Sequence, residues 1–293
     1  MTESERLRAI TAGVTAGALD TALIMLNNME IGEENRAMIA NRLCEEAREK
    51  TIKRIMERGD MKNVPEPTKT VHQQFDPERP LTPAEALNDG DDHGRRKTVR
   101  ILVACEYSGK VREAFRALGH DVTSCDLLPS DDNSPNHIIG DCLDVIKLGW
   151  DLIIMHPPCT ALAVSGNRWY GKGMPKHQDR IDSIAWTMAL WAEAKKHAPM
   201  VAMENPVGVL PMGASQYIQP WQFGHGETKK TGLWLHRLPN LVPTNIVDGR
   251  EQRIWKLPPS PDRWKIRSEM YQGIADAMAV QWSAEAAHAT NTD

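Results

Sequence analysis

The sequence predicts an α/β fold, a mostly parallel sheet with helices on both faces. Two observations carry that expectation. Short apolar runs (VRILVAC from Val99, HDVTSCDLL from His120, WDLIIM from Trp150, MVAMEN from Met200) have the length and composition of strands. Between them lie segments of helical periodicity. SGKVREAFRALG sets Val111, Ala114, Phe115 and Leu118 on one side, and IDSIAWTMALWAEAKKH is a longer run of the same texture. Strands that alternate with helices need crossover connections, so neighbouring strands run parallel and the layout is Rossmann-like, from about residue 98 to 285. Residues 286–293 read as a disordered tail.

The chain ahead of this region is different in kind. In residues 1–60, Leu7, Ile10 and Val14, then Leu19, Leu23 and Leu26, recur at three-to-four spacing; Ile39, Leu43, Ala47, Ile52 and Ile55 follow a break at Glu30–Gly32. The pattern predicts a helical hairpin appendage that buries its stripe on the main domain or against a second copy. Eleven acidic against nine basic residues make it a poor nucleic-acid contact. Residues 61–97 carry Pro65, Pro67, Pro77, Pro80 and Pro83 and the run NDGDDHGRRK, a composition that reads as a linker.

Composition excludes several classes. A chain of 293 residues with 41% hydrophobic and 25% charged residues is ordinary for a globular protein, and a net charge of −4 announces no bulk attraction to nucleic acid. The five cysteines (Cys44, Cys105, Cys125, Cys142, Cys159) form no CxxC or Cys/His pairing, so free thiols are expected and no metal site. MTESERLRAI lacks the basic-then-apolar form of a secretory signal, and no run approaches the ~18 apolar residues of a membrane span. The expectation is a cytoplasmic chain with no membrane partner.

Ligands of open α/β sheets bind beyond the carboxyl ends of the strands, so those ends were read for chemistry. The first is AlaCysGluTyrSerGly, residues 104–109, where Gly109 permits close backbone approach ahead of a helix N-terminus. The second ends on Asp126, an acid placed to accept from ribose hydroxyls, and GlyAspCys at 140–142 presents Asp141. These three are spaced as in a nucleoside-binding half-domain. At the fourth end, AspLeuIleIleMet runs into HisProProCys, and the two prolines stiffen the turn that holds Cys159. A cysteine held there serves as a nucleophile if its thiolate is stabilised; otherwise it is a small buried hydrophobe. One strand later MetGluAsnPro puts Glu204 at the adjacent end.

Pro-Pro-Cys after a DLI strand, followed by Glu-Asn-Pro, resembles the DNA cytosine-5 methyltransferases, and more closely their short phage and prophage members, over residues 99–282. The resemblance implies a Rossmann-like methyltransferase fold that uses S-adenosyl-L-methionine (SAM) to methylate DNA, in some cases within restriction-modification. By position, Cys159 adds to C6 of cytosine and Glu204 holds the ring at N3. The cofactor side falls on Cys105, Tyr107, Gly109, Asp126, Asp141 and Pro157, and the substrate side on Ser165, Arg168, Asn205, Lys229 and Lys230. TyrGlnGlyIleAlaAspAlaMet, residues 271–278, resembles the family's last motif, a Gly-containing turn and helix over the methionine end of SAM.

The departures are informative. CysGluTyrSerGly replaces the FxGxG-type loop, and ProCysThrAlaLeuAlaValSer moves Ser165 along the chain. The family's paired-arginine motif has no obvious counterpart, and ThrLysLysThr at 228–231, or Arg250 with Arg253, is the candidate substitute. No long recognition domain fits between Thr231 and Gly273. Residues 227–267 instead hold nine Lys/Arg against four Asp/Glu, with Trp234, Trp255 and Trp264 interleaved, a pattern suited to phosphate contact and base stacking. A second basic stretch, Arg168, Lys172, Lys176 and Arg180 with Gly166, Gly171 and Gly173, reads as a mobile loop that closes on DNA. A short or degenerate target follows. Two other readings stay open, an amino-methyltransferase of adenine N6 or cytosine N4 and a catalytically inactive relative that binds SAM or DNA.

Overall fold

The computed structural model describes residues 98–260 and 263–289. The expected hairpin of residues 1–60 and the linker of 61–97 lie outside the described residues. Two compact units are present. Thr160–Leu190 with Gly208–Leu210 belong to the smaller, and 98–159, Trp191–Val207 and 211–289 to the larger.

The larger unit carries a seven-stranded sheet of order β3-β2-β1-β4-β5-β7-β6. The strands are β1 (Arg100–Ala104), β2 (Asp121–Asp126), β3 (His137–Ile139), β4 (Leu152–Met155), β5 (Met200–Pro206), β6 (Gln216–Ile218) and β7 (Thr231–His236). The first five run parallel; β7 is inserted antiparallel beside β5, and β6 pairs antiparallel with β7. The Rossmann-like sheet is therefore as expected for β1, β2, β4 and β5. Residues 231–236, which the sequence assigned to a basic and aromatic surface stretch, are a sheet strand instead. Trp234 of that strand is buried and donates its indole N–H to the Met212 carbonyl at 3.0 Å. The first four residues of β7 are buried on both faces of the sheet, which calls for the small and apolar side chains of TGLW.

The helices are α1 (Lys110–Arg116), α2 (Cys142–Val145), α3 (Asn167–Tyr170), α4 (His177–His197), α5 (Arg253–Lys256), α6 (Arg263–Ser268) and α7 (Gln272–Ala289). Helix α7 reaches Ala289, so the segment expected as a tail from residue 286 is helical for its first four positions. One core cluster joins Ile101, Val103 and Ile154 of the sheet to Val111 and Phe115 of α1 and to Ile274, Ala275, Met278 and Trp282 of α7. Buried β1 and β4 side chains on both faces explain the continuous apolar runs of the sequence. Strand order reverses between β1 and β4, so the crevice expected to hold a ligand lies between the loops that follow these two strands.

Candidate active site

The register of β4 and β5 pairs Met155 with Met203, which brings the two following residues, His156 and Glu204, side by side. His156 continues the ladder, its N–H donating to the Ala104 carbonyl at 2.9 Å. Pro157 then confines His156 to extended backbone, and the turn leads to a half-buried Cys159. Asn205 fastens this turn from the neighbouring strand. It is 1% exposed, and its Nδ2 donates to the Pro157 carbonyl at 2.8 Å. Asn205, expected on the substrate side, thus positions the loop that carries the cysteine. Its Oδ1 is buried with no hydrogen-bond partner among the described residues.

The electrostatics of the two candidate reactive groups are opposed. Burial pushes the Cys159 thiol up and so does Glu204, against the cationic Lys229 and Arg267, so the resting group is the thiol. Burial also pushes the Glu204 carboxyl up, but the His156 hydrogen bond, the Lys229 charge and the Thr231 hydroxyl outweigh it and hold it below its ordinary value. The His156 Nδ1 lies 3.3 Å from Glu204 Oε2. Lys229 acts on both groups from just ahead of β7, its Nζ donating to the Glu269 carbonyl at 3.3 Å. Lys230, the next residue, lies over the Tyr217 ring at 4.6 Å. The alternative arginines are engaged elsewhere: Arg250 stacks on Trp221 at 3.9 Å, and Arg253 pairs with Glu227 at 2.9 Å.

The loop after β1 forms the other wall of the switch point. Cys105 has φ of 60°, a left-handed conformation uncommon outside glycine. Glu106 is 4% exposed and accepts the Val111 and Arg112 N–H groups at 2.7 and 3.2 Å. The helix N-terminus read as open to an anionic ligand is therefore capped by the chain's own carboxylate. Gly109 has φ of 73°, and the close approach it permits is that of the Arg112 guanidinium and Asp132. Tyr107 is buried, its hydroxyl 2.8 Å from Ser268 Oγ and its ring 5.8 Å from Trp264, so it ties this loop to α6. Asp141 caps α2 through the Leu143 N–H at 2.9 Å. Cys105, Cys125 and Cys142 gather here, Cys142 Sγ lying 3.7 Å from Cys105 Sγ and 3.5 Å from the Cys125 carbonyl.

Asp126, at the end of β2, is the most perturbed acid of this half. Burial, with the nearby Cys142, pushes its carboxyl up to about 7, against the Leu128 and Leu127 N–H groups. A folded-state value above the unfolded 3.8 means that the stabilising difference is complete below pH 4 and is lost as pH rises through 7. Asp126→Asn removes that dependence. Over pH 5–8 the stability gap between wild type and Asp126→Asn should therefore change by roughly 2–3 kcal/mol in favour of the variant, measured by urea unfolding at both pH values. A gap that stays flat would mean that the carboxyl is solvated.

Ser165 and Arg168 belong to the smaller unit and are exposed, Arg168 lying over the Trp169 ring at 5.0 Å. Within that unit Arg180 is buried. It donates to the Ala161 and Ala163 carbonyls at 2.7 and 3.2 Å and to Asn167 Oδ1 at 2.7 Å. Arg180 is thus a clamp that orders residues 161–167, a correction to its reading as part of a basic stretch on a mobile loop. Sequence reasoning passed over His156, Glu106 and Thr231. The one available signal was the place of His156 and Glu106 at strand ends flanking the switch point.

No protein-family model matches the chain, and no curated protein does. Among solved structures it is similar to Entamoeba histolytica methyltransferase EhMeth, at 14% identity and a TM-score of 0.35, over 53% of this chain and 57% of that one. It is also similar to S. pombe Dnmt2 methyltransferase, at 13% identity and a TM-score of 0.32, over 47% of this chain and 49% of that one. The chain thus spans about half the length of each.

Proposed function

We propose that this chain is a SAM-dependent DNA methyltransferase acting at C5 of cytosine, with Cys159 as nucleophile and Glu204 as the acid that holds the base. The observation that carries this reading is the placement of a proline-held cysteine and a buried carboxylate on neighbouring strand ends, locked together through Asn205 and Pro157.

The residues present suit the cofactor. Asp126 has no cationic partner among the causes of its shift; one oxygen accepts the Leu128 N–H at 3.0 Å, and a carboxyl has further lone pairs with which to accept from ribose hydroxyls. By the same resemblance Asp141 would face the adenine, and Cys105, Tyr107, Gly109 and Pro157 belong to the two loops of the switch point. SAM, when bound, supplies an electrophilic methyl group.

Cytosine C5 becomes nucleophilic only once a group adds at C6. Cys159 Sγ makes that bond and gives up its proton, while N3 gains one as charge builds on the ring. Resting thiol and resting carboxylate match this exchange: the proton that Cys159 gives up is the one that Glu204 carries and shares with N3, and Lys229 stabilises the thiolate in passing. After methyl transfer a solvent base removes the C5 proton; the electron pair left behind restores the C5–C6 double bond and expels the Cys159 thiolate, which recovers its proton from the N3–Glu204 pair. The base must leave the stack to reach a strand end. The exposed Trp169 with Arg168, Lys172 and Lys176 on the smaller unit supports a nucleic-acid partner, through stacking and phosphate contact.

The test is product identity. Incubation with methyl-labelled SAM and DNA, followed by digestion to nucleosides, is expected to place the label in 5-methylcytosine. Label in N6-methyladenine or N4-methylcytosine would replace this reading with an amino-methyltransferase. Binding of SAM or DNA without transfer would mark an inactive relative.

A further inference from the structure

We propose that His156 is a positioning residue for Glu204, fixing the direction in which its carboxylate points; this rests on the cytosine-C5 reading above. A carboxylate only accepts, so at 3.3 Å the His156 Nδ1 must be the donor to Glu204 Oε2. Donation from Nδ1 leaves Nε2 as the ring's other polar atom. That Nε2 is buried with no hydrogen-bond partner among the described residues. Leaving a buried polar atom unpaired costs stability, which the ring's bond to Glu204 has to offset.

The placement is rigid. The His156 backbone is tied to Ala104 on one side and restricted by Pro157 on the other. Both side chains of the pair are 13% exposed, so water competes weakly for the bond. Two acids face the ring from the packed strands, Glu106 following β1 and Glu204 on β5. Glu106 is occupied by the Val111 and Arg112 N–H groups. Glu204 is therefore the partner whose orientation the imidazole governs. Without that donor, burial of Glu204 is opposed only by the Lys229 charge and the Thr231 hydroxyl, and its ionisation moves to higher pH.

His156→Leu and His156→Asn separate this role from simple packing. Leucine fills similar space without a donor, while asparagine keeps an amide N–H near the Nδ1 position. His156→Leu is expected to lower kcat by roughly 10- to 100-fold, as for loss of a hydrogen bond to a charged group, with SAM affinity unchanged. The acid limb of its kcat/KM profile should move to higher pH. His156→Asn should restore both properties most of the way. Glu204→Gln with His156→Leu should be no slower than Glu204→Gln alone. A His156→Leu enzyme with wild-type rate and pH profile would overturn the proposal. So would a His156→Asn variant as impaired as His156→Leu at equal thermal stability. Should the wild type make no 5-methylcytosine, the function has failed rather than the contact. Carbon-13 NMR titration of the Glu204 carboxyl in wild type and His156→Leu then decides the contact, and identical midpoints would refute it.

Discussion

Cys159→Ser is expected to reduce methyl transfer by at least about a thousand-fold while SAM binding stays within a few-fold of wild type. The substitution changes one atom and should leave the turn intact, because Pro157, Pro158 and the Asn205 bond hold the backbone. What changes is the nucleophile. The Cys159 thiol is already pushed up by burial and by Glu204, and only Lys229 and Arg267 draw it toward ionisation. A serine hydroxyl begins several units higher, beyond the reach of the same two cations. It also makes a weaker bond to C6 in a step that needs a good nucleophile and, later, a good leaving group. A steady-state assay with SAM affinity measured in parallel by calorimetry checks both halves. A variant that keeps more than a tenth of the wild-type rate would remove Cys159 from the chemistry.

Gly273→Ala should cost stability rather than cofactor affinity. A Cβ at Gly273 would overlap the Phe223 carbonyl oxygen and lie 3.3 Å from His225 Nε2, which already accepts the Gly273 N–H. The obstacle is backbone, so nothing can swing aside. Either the Phe223 loop or the first turn of α7 has to move. Helix α7 carries Ile274, Ala275, Met278 and Trp282 into the core, and a shift at its start disturbs all four. Overpacking of this kind costs on the order of 3 kcal/mol, which corresponds to a drop in Tm of roughly 6–12 °C. Calorimetric melting of the variant without ligand measures it. A melting point within 2 °C of wild type, together with a raised KM for SAM, would instead return Gly273 to the cofactor lid that its resemblance implied.

These two residues also mark how far the sequence could be read. Cys159 was legible because a strand, two prolines and a reactive atom are consecutive, and local order alone places the thiol at a sheet edge. The function of Gly273 was not, because the atom it makes room for is the carbonyl of Phe223, fifty residues earlier. The long strands β1, β2, β4 and β5 announced themselves as apolar runs. The antiparallel β7 did not, since its pairing with Glu204, Asn205 and Pro206 depends on a reversal that no periodicity encodes. Glu106 and Asp141 illustrate a different gap. Asp141 was expected to meet a cofactor and Glu106 lies in a loop with the same expectation, yet each gives at least one oxygen to a helix N-terminus of its own chain. A side chain's choice between a neighbouring N–H and a bound molecule is settled by rotamer and burial, which the letters do not contain.

The lengths of the outermost strands have a consequence for self-association. At one edge of the sheet β3 offers three residues, and at the other β6 offers three, followed directly by Gln219 and Pro220. The longest strand, β5, is enclosed between β4 and β7. Each rim therefore exposes only a stub of unpaired main chain, too little to template an intermolecular ladder, and proline blunts one of them further. Two copies of this sheet have little means of zipping into a continuous one. Among the described residues, the long apolar strands are thus guarded from edge-to-edge pairing.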